Sequence, residues 1–201
     1  MGTVRALVRF PAFQSIAARG SGRRRPLLAL WSLSVLAAAT AARTSAEEEA
    51  PSRLDQLMAG YVLNFTKFVE WPEASRPQDL TICVAGNEGL YEALLSGATS
   101  ASVGSRHVTV RKVDDAPSTR GCHVLYIEPA SALHLAQLTV PAPMLTVSDG
   151  SGFAHAGGTI ELFTQQNRLR FIINLENAKR AGVRISSNLL QLAASVEGEA
   201  R

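Results

Sequence analysis

The stretch Leu145–Ala194, LTVSDGSGFAHAGGTIELFTQQNRLRFIINLENAKRAGVRISSNLLQLAA, decides the fold. It opens on an apolar run, Met144 to Val147, that stops at Ser148-Asp149-Gly150, where short polar side chains and a glycine favour a turn. A strand therefore ends there. The Gly-rich loop Gly150 to Gly158 follows, and then two runs with β-branched and aromatic residues, Thr159 to Thr164 and Leu169 to Leu175, separated by Gln165-Gln166-Asn167-Arg168. This pattern predicts a hairpin with Ile160, Leu162, Leu169, Phe171 and Ile173 on alternating apolar positions and Glu161, Thr164 and Arg170 off them. Asn174 is placed to cap a helix Leu175 to Ala181 that Gly182 closes, and Ser186-Ser187-Asn188 to cap another, Leu189 to Val196.

Working outward, the 201 residues are 46% hydrophobic and 18% charged, which suits one domain with one core. The net charge of +3 is unevenly distributed. Seven of the 20 Lys and Arg precede Glu47 and none of the 17 Asp and Glu does, so the remainder is mildly acidic, 13 cations against 17 anions. A surface of that kind lacks the phosphate-neutralising cluster that nucleic acid requires, and no nucleic-acid partner is expected. Arg23-Arg24-Arg25, the apolar run Pro26 to Ala42 and the small residues up to Ala46 have the pattern of a secretory signal peptide over residues 1–46, cleaved after Ala46. A retained membrane anchor is the competing reading. Residues 47–52 are acidic and read as a disordered tether, 53–196 as a single domain and 197–201 as a tail. Cys83 and Cys122 would lie in an oxidising compartment, where an even count favours one disulfide; two buried free thiols are the alternative.

In chain order, Leu54, Leu57, Met58, Tyr61, Val62, Phe65, Phe68 and Val69 recur at helical spacing, predicting a helix from Arg53 to Val69 that stops at Trp71-Pro72. Asn64, Lys67 and Glu70 fall off that stripe, on a solvated face. Strands are expected at Asp79 to Ala85, Arg106 to Val113, Cys122 to Ile127 and Met144 to Val147, with helices at Glu88 to Ser96 and Ser131 to Leu138. Strands alternating with helices predict an α/β three-layer sandwich with a mixed, partly parallel sheet flanked by helices, completed by the C-terminal hairpin and two short helices.

The chemistry-bearing residues do not converge. His107, His123 and His134 lie within predicted elements and form no zinc-type spacing, so no metal is expected. There is no nucleotide-binding glycine motif, and no cofactor is expected. Ser148-Asp149 lies where ligands of open α/β sheets gather but lacks a G-x-S-x-G elbow, and turn formation explains both residues. No catalytic set emerges. The candidate binding residues are therefore Phe153 and His155 in the Gly-rich loop, then Asn64, Lys67 and Glu70, for a partner protein; Arg170 or Arg184 could hold a small anionic ligand, the alternative function. Phe153 folded back as a lid on the core is an equally good reading of that residue.

Three segments carry a family resemblance: YVLNFTKFVEWP at Tyr61–Pro72, GCHVLYI at Gly121–Ile127, and LTVSDGSGFAHAGGTIELF with NRLRFIINLENAKRAGVRISSNLLQLA at the C-terminal end. They resemble the YfiR-like family of exported bacterial proteins, over nearly all of the chain after the leader. The resemblance implies a periplasmic, non-enzymatic α/β protein that dimerises and represses an inner-membrane diguanylate cyclase by binding its periplasmic sensor region. It also implies that an outer-membrane lipoprotein can sequester the repressor. Cys83 and Cys122 occupy the segments where the family's structural disulfide is expected. A second cysteine pair near the hairpin is not present here, since Gly157 and Thr164 stand in that region, so redox control through the hairpin does not carry over.

Overall fold

The computed structural model describes residues 50–73, 76–100, 106–131, 133–137 and 143–198. The leader, the position after Ala46, the first part of the acidic tether and the last three residues lie outside the described residues. Helix α1 (Arg53–Phe68) starts at a capping box: the Ser52 side chain accepts from the Asp55 amide and the Asp55 carboxylate accepts from the Ser52 amide. Met58, Ala59, Val62, Leu63, Phe65 and Thr66 form its buried face. Leu54 and Leu57, assigned by spacing to the same stripe, are 46% exposed instead. The helix ends one residue earlier than its apolar pattern suggests, because Val69–Glu70 becomes strand β1 and pairs antiparallel with β8 (Arg184–Ile185).

A second sheet carries the rest. Its strands are β2 (Leu80–Ala85), β3 (Val108–Lys112), β4 (Val124–Ile127), β5 (Leu145–Ser148), β6 (Ile160–Gln165), β7 (Arg168–Asn174) and β9 (Ser195–Glu197), in the order β3-β2-β4-β5-β6-β7-β9. Pairing is parallel from β3 through β6, antiparallel in the β6–β7 hairpin, and parallel again between β7 and β9. The fold is thus an α/β sandwich on a mixed sheet. The hairpin turn is tighter than the four residues the sequence suggests: only Gln166 and Asn167 lie outside the strands, and both adopt positive φ, at 49° and 61°. Such a two-residue turn matches the twist of the strands it joins.

Alternation along the central strands builds two cores. Leu80, Ile82 and Val84 of β2 and Val124 and Tyr126 of β4 face α1 and α2 (Glu88–Ser100), with Ala178 and Leu189 from the C-terminal helices in the same cluster. Cys83, Ala85, Leu125 and Ile127 face the other way, onto Val113, Leu133, Met144 and the half-buried Phe153. Of the helix expected over Ser131 to Leu138, residues 132 and 138 lie outside the described residues, and among the described ones a 3-10 turn forms at Leu135–Gln137; Pro117–Thr119 makes another. Cys83 and Cys122 are joined in a disulfide with Cα atoms 5.8 Å apart, which disposes of the free-thiol alternative.

At the C-terminal end, Asn174 caps α3 (Leu175–Arg180) by accepting from the Asn177 amide, and Gly182, at φ 73°, lets the chain leave the helix as expected. Helix α4 (Ser187–Leu192) differs from expectation. It is capped by Ser186 and stops at Leu192, so Ser195–Glu197, assigned partly to the helix and partly to a tail, is free to pair with β7. Among the described residues no helix is long and apolar enough to cross a membrane.

Candidate functional site

The Gly-rich loop connects two parallel neighbours, β5 and β6, a crossover that a helix usually makes. It holds its shape through polar contacts from the elements beneath it. Glu161, on a strand position between buried Ile160 and Leu162, is itself buried, and its two carboxylate oxygens accept from the Gly152 and Ala154 amides at 3.1 Å each. The Asn177 side-chain Nδ2 donates to the carbonyls of Ala154 and Gly158 at 2.7 Å, and the Asn174 side-chain Nδ2 also donates to the Ala154 carbonyl. Charged acceptors and buried amides of this kind rigidify a loop without regular structure. Its one trace in the sequence is a glutamate and an asparagine among apolar neighbours.

Phe153 turns inward. Its ring packs against the second core and covers Gly158 so closely that a Cβ there would lie 2.1 Å from a ring carbon. The core-lid reading of this residue is the geometry observed, and the exposed aromatic anchor is not. His155 points outward with 73% of its side chain exposed, its Nδ1 3.4 Å from Oε2 of Glu197 on β9. At that separation the two groups form an ion pair only when the imidazole is protonated, and the Glu197 oxygen has no hydrogen-bond partner among the described residues. The loop also walls a cleft of about 320 Å³ with Ile127, Pro129, His134 and Leu135.

On α1, Asn64 and Lys67 are exposed and joined by a 2.9 Å hydrogen bond from Nζ to Oδ1, one turn before exposed Glu70. Glu70 stands across the β1–β8 ribbon from Arg184, in register. A second cleft, of about 390 Å³, opens beside this pair between Trp71, Pro72, Glu73 and Arg76. Arg170 is exposed on β7, opposite Phe163, and lines neither cleft. The Gly-rich loop and Arg184 line different clefts.

The residues considered for catalysis have structural partners. Ser148 Oγ donates to the Ile127 carbonyl at 2.6 Å and accepts from the Gly150 amide at 3.0 Å. Asp149 accepts from the Tyr126 hydroxyl at 2.7 Å, and burial, aided by that carboxylate, pushes the phenol well above its ordinary pKa. His123 Nδ1 accepts from the Thr81 amide at 3.0 Å, and burial pushes its pKa down. Among the described residues, no group of three or more His, Cys, Asp and Glu could hold a metal.

Two solved structures share a low similarity with this chain. A conserved domain protein of Vibrio cholerae O1 biovar El Tor is 8% identical at a TM-score of 0.43, over 71% of this chain and 60% of that one. An ABC domain from Streptococcus pneumonia, crystallised with L-Trp, is 12% identical at a TM-score of 0.44, over 69% of this chain and 61% of that one. This chain therefore spans about three fifths of each of those proteins. A family model described as YfiR/HmsC-like matches residues 55–194, from the first turn of α1 to the end of the α4 segment. Nearly all of α1 with the Glu70-Trp71-Pro72 run that follows it, the disulfide pair and the hairpin with its two capped helices fall inside that match, and the chain belongs to the YfiR/HmsC-like family.

Proposed function

We propose that this protein is a periplasmic, non-catalytic regulator that docks onto the periplasmic sensor region of an inner-membrane diguanylate cyclase and holds cyclic-di-GMP synthesis down. Family membership across the whole folded core carries the reading. The disulfide suits an oxidising compartment, and the side chains considered for catalysis are engaged in holding the fold. The docking surface we assign is the exposed face of Asn64, Lys67 and Glu70 together with the outward side of the Gly-rich loop at His155. Phe153 contributes from below, by fixing the loop over Gly158. Loops pinned to a rigid scaffold suit recognition because little ordering entropy remains to be lost on binding. Leu54 and Leu57, one turn apart and half exposed on α1, are the contacts we assign to a homodimer. An outer-membrane lipoprotein that competes for the protein completes the circuit.

The test is a comparison of intracellular cyclic-di-GMP in cells with and without the protein, alongside capture of the cyclase by purified protein. Deletion raises cyclic-di-GMP, and Lys67→Glu with His155→Glu abolishes capture while leaving the melting temperature unchanged. Unaltered cyclic-di-GMP on deletion would refute the reading.

A further inference from the structure

The cleft beside the β1–β8 ribbon has the donors and acceptors of a small-molecule site. Glu70 and Arg184 are cross-strand partners on its rim. Both are exposed, and neither side chain makes a hydrogen bond or ion pair with any described residue, although Glu73 and Arg76 across the cleft pair with each other. Arg184 therefore offers a planar, uncommitted set of donors. Trp71, which lines the same cleft, is 4% exposed, and its indole N–H is buried without an acceptor among the described residues. Buried tryptophan N–H groups ordinarily find a partner, because one without an acceptor carries the full penalty of desolvation.

We propose that this cleft binds a small hydroxylated oxyanion, either a carboxylate or a phosphate monoester. The charged oxygens pair with Arg184, in the bidentate geometry that guanidinium favours. A ligand hydroxyl donates to Glu70, whose negative charge disfavours an anion with no donor of its own. The carbon body lies against Trp71 and Pro72. The Glu73–Arg76 pair on the same cleft is largely exposed, with side chains 82% and 53% accessible, and such pairs yield at little cost to a competing ligand. Glu70 lies at the edge of the docking face as well as on this cleft, so the ligand is tested on the protein alone, where its binding does not depend on the cyclase reading.

The chain has two tryptophans, Trp31 and Trp71, so in the full-length protein carrying Trp31→Phe the emission reports Trp71 alone. That protein is titrated with lactate, with glycerol 3-phosphate and with glycerol. A saturable change with lactate or with glycerol 3-phosphate, and none with glycerol, is expected; whichever anion produces it identifies the carboxylate or the phosphate class. Arg184→Gln weakens binding by at least about tenfold, as loss of a charge-assisted contact should. Arg170→Gln, outside the cleft, leaves it unchanged. The proposal is overturned if neither anion shifts the emission at millimolar concentration, if glycerol does so equally, or if Arg184→Gln binds as the parent does.

Discussion

Removing the Cys83–Cys122 bond should cost this protein a large share of its stability. The bond closes a loop of 39 residues in sequence separation and ties β2 to the entrance of β4, the two strands at the centre of the parallel region. In the chain-entropy treatment a loop of that length corresponds to about 4 kcal/mol at 25 °C, because the cut chain regains conformations that the cross-link denied its unfolded state. Both sulfur positions are buried, Cys83 fully and Cys122 to within 4%, so Cys83→Ala with Cys122→Ala leaves only small gaps in the second core and introduces no unpaired polar group. Arg111, whose guanidinium donates to the Cys122 sulfur at 3.4 Å, keeps its second contact to the Arg120 carbonyl. Urea unfolding followed by circular dichroism measures the difference directly. With a slope of about 2 kcal/mol/M, the midpoint falls by about 2 M, and the slope itself rises because the uncross-linked chain exposes more surface when unfolded. A loss below about 1 kcal/mol, or an unchanged slope, would refute the idea that the cross-link acts through the unfolded chain.

Gly158→Ala places a methyl group inside the Phe153 ring and should destabilise by about 1–3 kcal/mol, whereas Phe153→Ala with Gly158→Ala recovers part of that loss relative to the sum of the single changes; thermal denaturation of the four proteins measures the coupling. Glu161→Gln replaces one acceptor oxygen with a donor facing a backbone N–H, costs about 2 kcal/mol, and speeds hydrogen exchange at the Gly152 and Ala154 amides first. His123 binds protons less readily folded than unfolded, so its contribution is intact above the ordinary imidazole range and is lost as pH falls from there through the lowered folded value. The parent's melting temperature therefore declines below about pH 6.5 more steeply than that of His123→Gln. At the hairpin, Gln166→Asn with Asn167→Gly suits the two positive φ angles better and should stabilise by about 1 kcal/mol in the same urea assay.

The parts of this fold that were legible in the sequence are those whose signal is local. The α1 stripe, the hairpin alternation, the Asn174 cap and the Gly182 exit each write their geometry into adjacent residues. The β1–β8 ribbon does not, because two-residue strands have no period to detect and Val69-Glu70 continues the helical pattern before it. Strand β9 was missed for the same reason: Ser195-Val196-Glu197 has one apolar residue, and its pairing depends on where α4 stops. The candidate site was legible in part. Exposure of Asn64, Lys67, Glu70 and His155 follows from position, but the inward turn of Phe153 depends on Gly158, and the role of Glu161 depends on two amides that no spacing rule connects to it.

The C-terminal pairing of β9 onto β7, and of Arg184–Ile185 back onto Val69–Glu70, has a consequence for how the molecule is assembled. Threaded out from its amino end, the chain closes the β1–β8 ribbon only once Ile185 has emerged and covers β7 only once Glu197 has, and until then β7 offers a bare row of amides and carbonyls to any neighbour. Newly made copies therefore pass through a stage in which they can stick to one another edge to edge, and trimming back to Ala194 would hold them there.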